Sequence, residues 1–197
     1  MQNHGWRKPT PDLGVAEQLA QAGELCRVSR NKALLACKRV GAHIGLKPGD
    51  MMLLDTFGAF TQAQDWLEGR RPIVWASNAY LIDRTGFSLS ALKRHVRRLV
   101  DAGVITFRDS PNGKRYARRG QGGEIEQAYG FDISPIVARA AEFKELAEVV
   151  RAAKKAYRVV KEQTTIRRRD IVTQIDAGHG EGVPAKLGKT TQNYKSN

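Results

Sequence analysis

Two short helices, each opened by serine and closed by glycine, stand end to end in the middle of this chain and restrict its fold more than any other feature. Ser77 precedes Asn78 to Thr85 and Gly86 follows; Ser88 precedes Leu89 to Ala102 and Gly103 follows. A serine hydroxyl at the N-cap accepts from a backbone N–H that the helix leaves unpaired, and glycine adopts the left-handed backbone that ends the last turn. In the second helix Leu89, Leu92, Val96, Leu99 and Val100 fall on one apolar stripe. Ser90, Lys93, Arg94, Arg97 and Arg98 take the opposite face. Two capped helices joined by Gly86 and Phe87, the second with a basic outer face, are the pattern of a helix-turn-helix.

A hairpin is expected next. Val104 to Arg108 is β-branched and aromatic, Ser110-Pro111-Asn112-Gly113 is a turn, and Lys114 to Arg119 returns with charge on both faces. A strand of that composition stays in water, beside the second helix, as a wing. The expected fold is therefore mainly α: a winged helix-turn-helix between about Pro72 and Arg119, with a β-hairpin wing, followed by a long C-terminal helix.

Charge gathers in the same place. Residues 84–119 hold ten basic side chains and two acidic ones, so they carry +8 of the chain's +13. Such a field attracts a polyanion. Duplex binding needs cations on phosphates and side chains that reach base edges from an element fitting the major groove. The candidates for base contact are Ser90, Ala91, Lys93, Arg94 and Arg97, with Ser88 and Arg98 on the same helix. Arginine bridges the two acceptors of guanine best, which favours Arg94 and Arg97. Lys114, Arg115, Arg118 and Arg119 on the wing would meet phosphates or the minor groove, and Ser77 and Asn78 would offer a helix N-terminus to a phosphate.

The rest of the chain frames this region. Residues 1–27 read as a flexible N-terminal arm with a short helix from Leu13 to Ala22, and residues 28–133 as the DNA-binding domain. Ser29 caps a helix to about Ile44, and Pro48 or Asp50 opens another. Gly120, Gly122 and Gly123 form a flexible joint before a third strand from Glu124 to Phe131. Ser134-Pro135 begins a long helix over residues 134–171. Its seam (Phe143, Leu146, Val150, Ala153, Tyr157, Val160) either pairs with a second copy or packs on the preceding domain. Residues 172–197 read as a disordered linker.

Other chemistries find little support. His4, His43, His95 and His179 form no cluster with metal-ligand spacing, and His95 reads as structural. No Gly-x-Ser-x-Gly occurs, nor the paired histidines near a tyrosine that nicking enzymes use, so no enzyme, cofactor or metal is expected. Gly182 to Thr190 imitates a phosphate loop but is one residue too long and contains a proline. No apolar run approaches the roughly 20 residues of a membrane span, and Met1 to Pro11 has no apolar segment suited to export. Cys26 and Cys37 lack a Cys-x-x-Cys spacing and read as reduced thiols of a cytoplasmic protein.

Several blocks carry a family likeness. Gln64-Asp65-Trp66-Leu67-Glu68-Gly69-Arg70-Arg71-Pro72-Ile73-Val74-Trp75 with Ser77-Asn78 resembles the N-terminal half of RepC, the replication initiator of RepABC-type bacterial plasmids. So do Phe107 to Arg119, Ala128 to Pro135 and Arg167-Arg168-Arg169-Asp170-Ile171. The resemblance implies a protein that binds double-stranded plasmid origin DNA, in this family within the initiator's own coding sequence, and that engages host replication proteins. It also implies the DNA-binding half of a longer protein. A winged-helix transcriptional regulator, with the same groove helix and no origin, is the alternative.

Overall fold

The computed structural model describes residues 11–180. The chain divides into two units, residues 1–148 and residues 149–197. The order of elements is α1 (Pro11–Glu24), α2 (Arg30–Val40), α3 (Pro48–Phe60), β1 (Ile73–Val74), α4 (Asn78–Thr85), α5 (Leu89–Asp101), β2 (Thr106–Arg108), β3 (Tyr116–Arg119), β4 (Ile125–Asp132), α6 (Pro135–Ala138) and α7 (Ala140–Gly180). It is mainly helical, with one small antiparallel sheet and a long C-terminal helix. The core of the first unit is set by Leu53, Leu54 and Phe57 of α3, Leu81 of α4, Leu92 and Leu99 of α5, and Phe131 of β4, with Phe57 stacked on Phe131 at 4.9 Å.

The capped pair forms where the serines and glycines place it. Ser77 and Ser88 accept from the N–H groups of Tyr80 and Ala91, and Gly86 turns the chain at φ +69°. The buried stripe of α5 differs at its start: Leu92, His95, Leu99 and Val100 face the core, whereas Leu89 is 45% exposed. Leu89 lies in the first turn, ahead of the stripe that Leu92 begins.

What seats α5 on α3 is polar. Asp50, the third residue of α3, is wholly buried; its Oδ2 accepts from the N–H of Lys47, closing the first turn of its own helix. Across the helix interface it receives His95 Nδ1 at 2.7 Å and Arg98 Nε at 2.8 and 3.0 Å. Burial alone would push the Asp50 carboxyl up. The bonds from Arg98, Lys47 and His95, with the charge of Arg98, together outweigh that and hold it below the ordinary carboxylate range.

The strands pair differently from expectation. The turn Ser110 to Gly113 forms, with Gly113 N–H donating to the carbonyl of Ser110 at 3.0 Å, but the strands on either side of it do not pair with each other. Both pair antiparallel with β4, Phe107 opposite Phe131 and Ala117 opposite Ala128. The hairpin is thus β3–β4, turned at Gly120 to Gly123, which the sequence reading treats as a joint. An eight-residue β4 can serve both β2 and β3, and it pairs with β1 as well.

The expected arm is corrected in part over its described residues: the helix expected from Leu13 to Ala22 forms as α1, but it is packed rather than free. α1 buries Ala16 and Ala20 and packs on α6. A Cβ at Gly23 would lie 2.3 Å from the carbonyl oxygen of Ser134. Small residues at intervals of four and three let two backbones approach, a pattern with little hydrophobic signal. Glu17 adds a polar tie: Arg71 donates to it at 3.1 Å and meets the buried Asp132 at 2.7 Å. Residues 1–10 and the phosphate-loop imitation lie outside the described residues.

The long helix has a break in front. Ser134 makes no side-chain cap, and α6 ends at Arg139, whose guanidinium donates to the carbonyls of Ala102 and Gly103 at the end of α5. α7 then starts at Ala140, buries Phe143, and runs to Gly180, so residues 172–180 are helix rather than linker. In the second unit every residue from Arg151 to Gln174 is exposed.

Removing Asp50 orphans His95 and Arg98. Asp50→Asn is expected to cost about 2–4 kcal/mol in urea unfolding at pH 7, somewhat less than a fully buried broken pair because Arg98 keeps an edge in water. A carboxyl held low in the folded state contributes above its unfolded pKa, and that contribution is lost as pH falls through the folded value. The gap between the two proteins should therefore close below about pH 4.

Candidate nucleic-acid interface

The sequence candidates fall into three groups. On α5, Ser90, Lys93, Arg94 and Arg97 are exposed along one face, with Leu89 at its start. Lys93 and Arg94 make no ion pair among the described residues, and Arg97 only approaches Asp101 of its own helix at 3.8 Å, a weak exposed contact. Ala91 is half-buried. Ser88 and Ser77 are exposed, each accepting a backbone N–H at a helix start.

A second group meets across a cleft of about 400 Å³ between the N-terminus of α4, the face of α5 and the segment 109–115. Asn78, Lys93, Lys114 and Arg115 all line it. Arg115 donates to Asn78 Oδ1 at 2.6 Å, and its guanidinium lies 4.6 Å from the centre of the Phe131 ring. The cation is held in place by an amide and an aromatic face, so the segment before β3 is tied to α4. Lys114 and Arg118 are exposed and without an ion pair among the described residues.

The third group is turned inward. Arg98 gives its Nε to Asp50. Arg119 makes a two-pronged pair with Asp65, both bonds 2.8 Å, donates to the carbonyl of Gly123, and lies 5.1 Å from the centre of the Trp75 ring. Asp65 is buried and its Oδ2 also accepts from the N–H of Gln62, so it is a capping acid like Asp50. These two arginines hold the frame: Arg98 seats α5, and Arg119 fixes the β3–β4 hairpin to the segment before β1.

Sequence reasoning missed the partners Asp50 and Asp65 in these roles. Their signal was present, an acid three residues after each N-cap, Lys47 and Gln62, but nothing local announces an arginine 48 or 54 residues away. It also missed Tyr80, which is 37% exposed on α4, packs edge-on to Phe60 at 5.6 Å and carries Arg84 over its ring at 5.4 Å. His95 is structural, buried against Phe87 at 4.4 Å. Cys37 is buried, and burial pushes its thiol up to about 12 despite the charge of Arg139, which leaves it inert. Among the described residues no group of three or more His, Cys, Asp or Glu could hold a metal, and no helix is long and apolar enough to cross a membrane.

Fold and surface together define a mainly helical protein whose basic face is built by two capped helices and a strand hairpin. Residues 7–179 match the family model "Replication protein C N-terminal domain", and the chain belongs to that family. Two relatives carry the name "Putative replication protein C". The one from Rhizobium rhizogenes is 40% identical over 140 residues, 71% of this chain and 35% of the relative. The one from Sinorhizobium fredii (strain NBRC 101917 / NGR234) is 36% identical over 154 residues, 78% of this chain and 38% of the relative. This chain thus spans a little over a third of the length of either. No solved structure matches it.

The contrast between neighbouring arginines is testable. Arg119→Gln leaves buried Asp65 without its partner and is expected to lower stability by about 1–3 kcal/mol and to speed amide hydrogen exchange in β3 and β4. Arg118→Gln, one residue away and in water, should change neither measurement.

Proposed function

We propose that this chain is the duplex-DNA-binding part of a plasmid replication initiator. In this reading α4 and α5 act as a helix-turn-helix, α5 enters the major groove, and the β3–β4 hairpin is the wing. The observation that supports it best is the convergence of α4, α5 and the segment 109–115 on one cleft, where Asn78, Lys93, Lys114 and Arg115 sit beside the exposed Arg94 and Arg97. Membership of the replication protein C family supports the replication role. Arg94 and Arg97 read bases; Lys93, Lys114, Arg115 and Arg118 grip phosphates; Ser77, Asn78, Ser88 and Ser90 offer hydroxyl, amide and helix-terminal donors. The protein performs no bond chemistry here; it marks an origin and hands it to host replication proteins.

The test is fluorescence anisotropy on duplexes tiled through the protein's own coding sequence, beside a scrambled duplex, at two salt concentrations. One tile bound tightly and with residual preference at high salt supports an origin-type initiator. Equal binding to all tiles that collapses with salt, as counterion release requires, sinks the reading. On the preferred tile Arg94→Ala or Arg97→Ala should cost about 1–3 kcal/mol and relax sequence preference, whereas Arg118→Ala should weaken every duplex alike.

A further inference from the structure

The second unit holds a charge of its own. Residues 149–172 carry eight basic side chains against two acidic ones, a net +6. Lys154, Lys155, Arg158 and Lys161 recur at intervals of one and three, which puts them on one arc of α7. All four are exposed, in a stretch where nothing from residue 151 to residue 174 is covered. Lys154 and Arg158, Lys155 and Arg158, and Arg158 and Lys161 are helix neighbours of like sign, with Glu162, four residues after Arg158, as the acid among them, so the arc keeps a net repulsion of its own. An anionic partner laid along the arc would turn that repulsion into attraction.

Three occupants differ in what they would need. An anionic membrane needs bulky anchors on the opposite arc; that arc offers exposed Val149, Val160 and Ile171, fewer and smaller than the Leu, Phe and Trp that such helices bury. A second copy needs an unbroken seam; Val150, Ala153, Tyr157 and Val160 provide two heptads before Thr164 and Arg167 interrupt it, and pairing would bring two like-charged helices together. A duplex needs only closely spaced cations able to replace condensed counterions. We infer that the arc Lys154, Lys155, Arg158 and Lys161 of α7 is a second duplex-DNA contact, one that grips phosphates without regard to sequence. It adds to the proposed function and rests on duplex DNA being the ligand, but on no residue of α5.

The experiment compares the 197-residue chain with its Lys154→Gln/Lys155→Gln/Arg158→Gln/Lys161→Gln variant. Glutamine keeps helix propensity, and an unchanged melting temperature shows that the first unit stays folded. The slope of log Kobs against log salt should become shallower by about 2–4, equally on the preferred and the scrambled duplex. Duplex addition should raise helical ellipticity in the parent and not in the variant. An unchanged slope overturns the inference. So does sedimentation as a dimer that the variant loses, or tighter binding to phosphatidylserine vesicles than to duplex. Arg94→Ala separates the two claims: if it leaves sequence preference intact while the α7 variant flattens the slope, the reading of α5 fails and this one stands.

Discussion

The carboxylate of Asp50 is wholly out of water, and it closes the first turn of α3 while receiving His95 and Arg98 from α5. A buried charge is tolerated only when its lone pairs are filled, and here three donors from two helices fill them. That requirement fixes both the rotation and the height of α5 on α3. Apolar contacts between Leu53, Leu54, Leu92 and Leu99 exclude water but would permit sliding; the directional bonds do not. The exposed face of α5, with Lys93, Arg94 and Arg97, points where it does because its inner face has this one polar address.

The same device occurs a second time. Asp65 caps a short turn with its own backbone and takes a two-pronged arginine from β3, with Trp75 beneath the guanidinium. In both places a local capping acid also serves as a long-range anchor. The basic region therefore divides by burial rather than by position in sequence: Arg98 and Arg119 belong to the frame, and Arg94 and Arg118 to the surface. A count of charges cannot make that division, since all four are arginines within one short stretch.

Much of this was legible. Ser77, Gly86, Ser88 and Gly103 fix two helices because caps are local chemistry, and the position of β4 could be read within a residue or so at each end. Pairing was not legible. Ser110 to Gly113 and Gly120 to Gly123 are both good turns, and the choice between hairpins depends on β4 outlasting its partners, which no turn signal encodes. The helix α1 was legible, but its docking was hidden because Ala16, Ala20 and Gly23 bury by being small. On α5 the basic face could be read, but not which of its members turns inward, because the deciding carboxylate lies 48 residues away.

One consequence follows from the way β2 and β3 share a strand. Each is fastened to β4 by its own register, and the pairing offset changes by seven between Arg108 opposite Gly130 and Tyr116 opposite Tyr129. Residues 109–115 are thus surplus chain, an excursion pinned at both feet. Its length can change by insertion or deletion while the strands on either side stay put, since closing a slightly longer loop adds little entropy. Yet this excursion carries Lys114 and Arg115 into the cleft beside α5. Evolution can therefore retune the reach of that limb in relatives without disturbing the sheet, a separation between what is varied and what is kept that the fold itself provides.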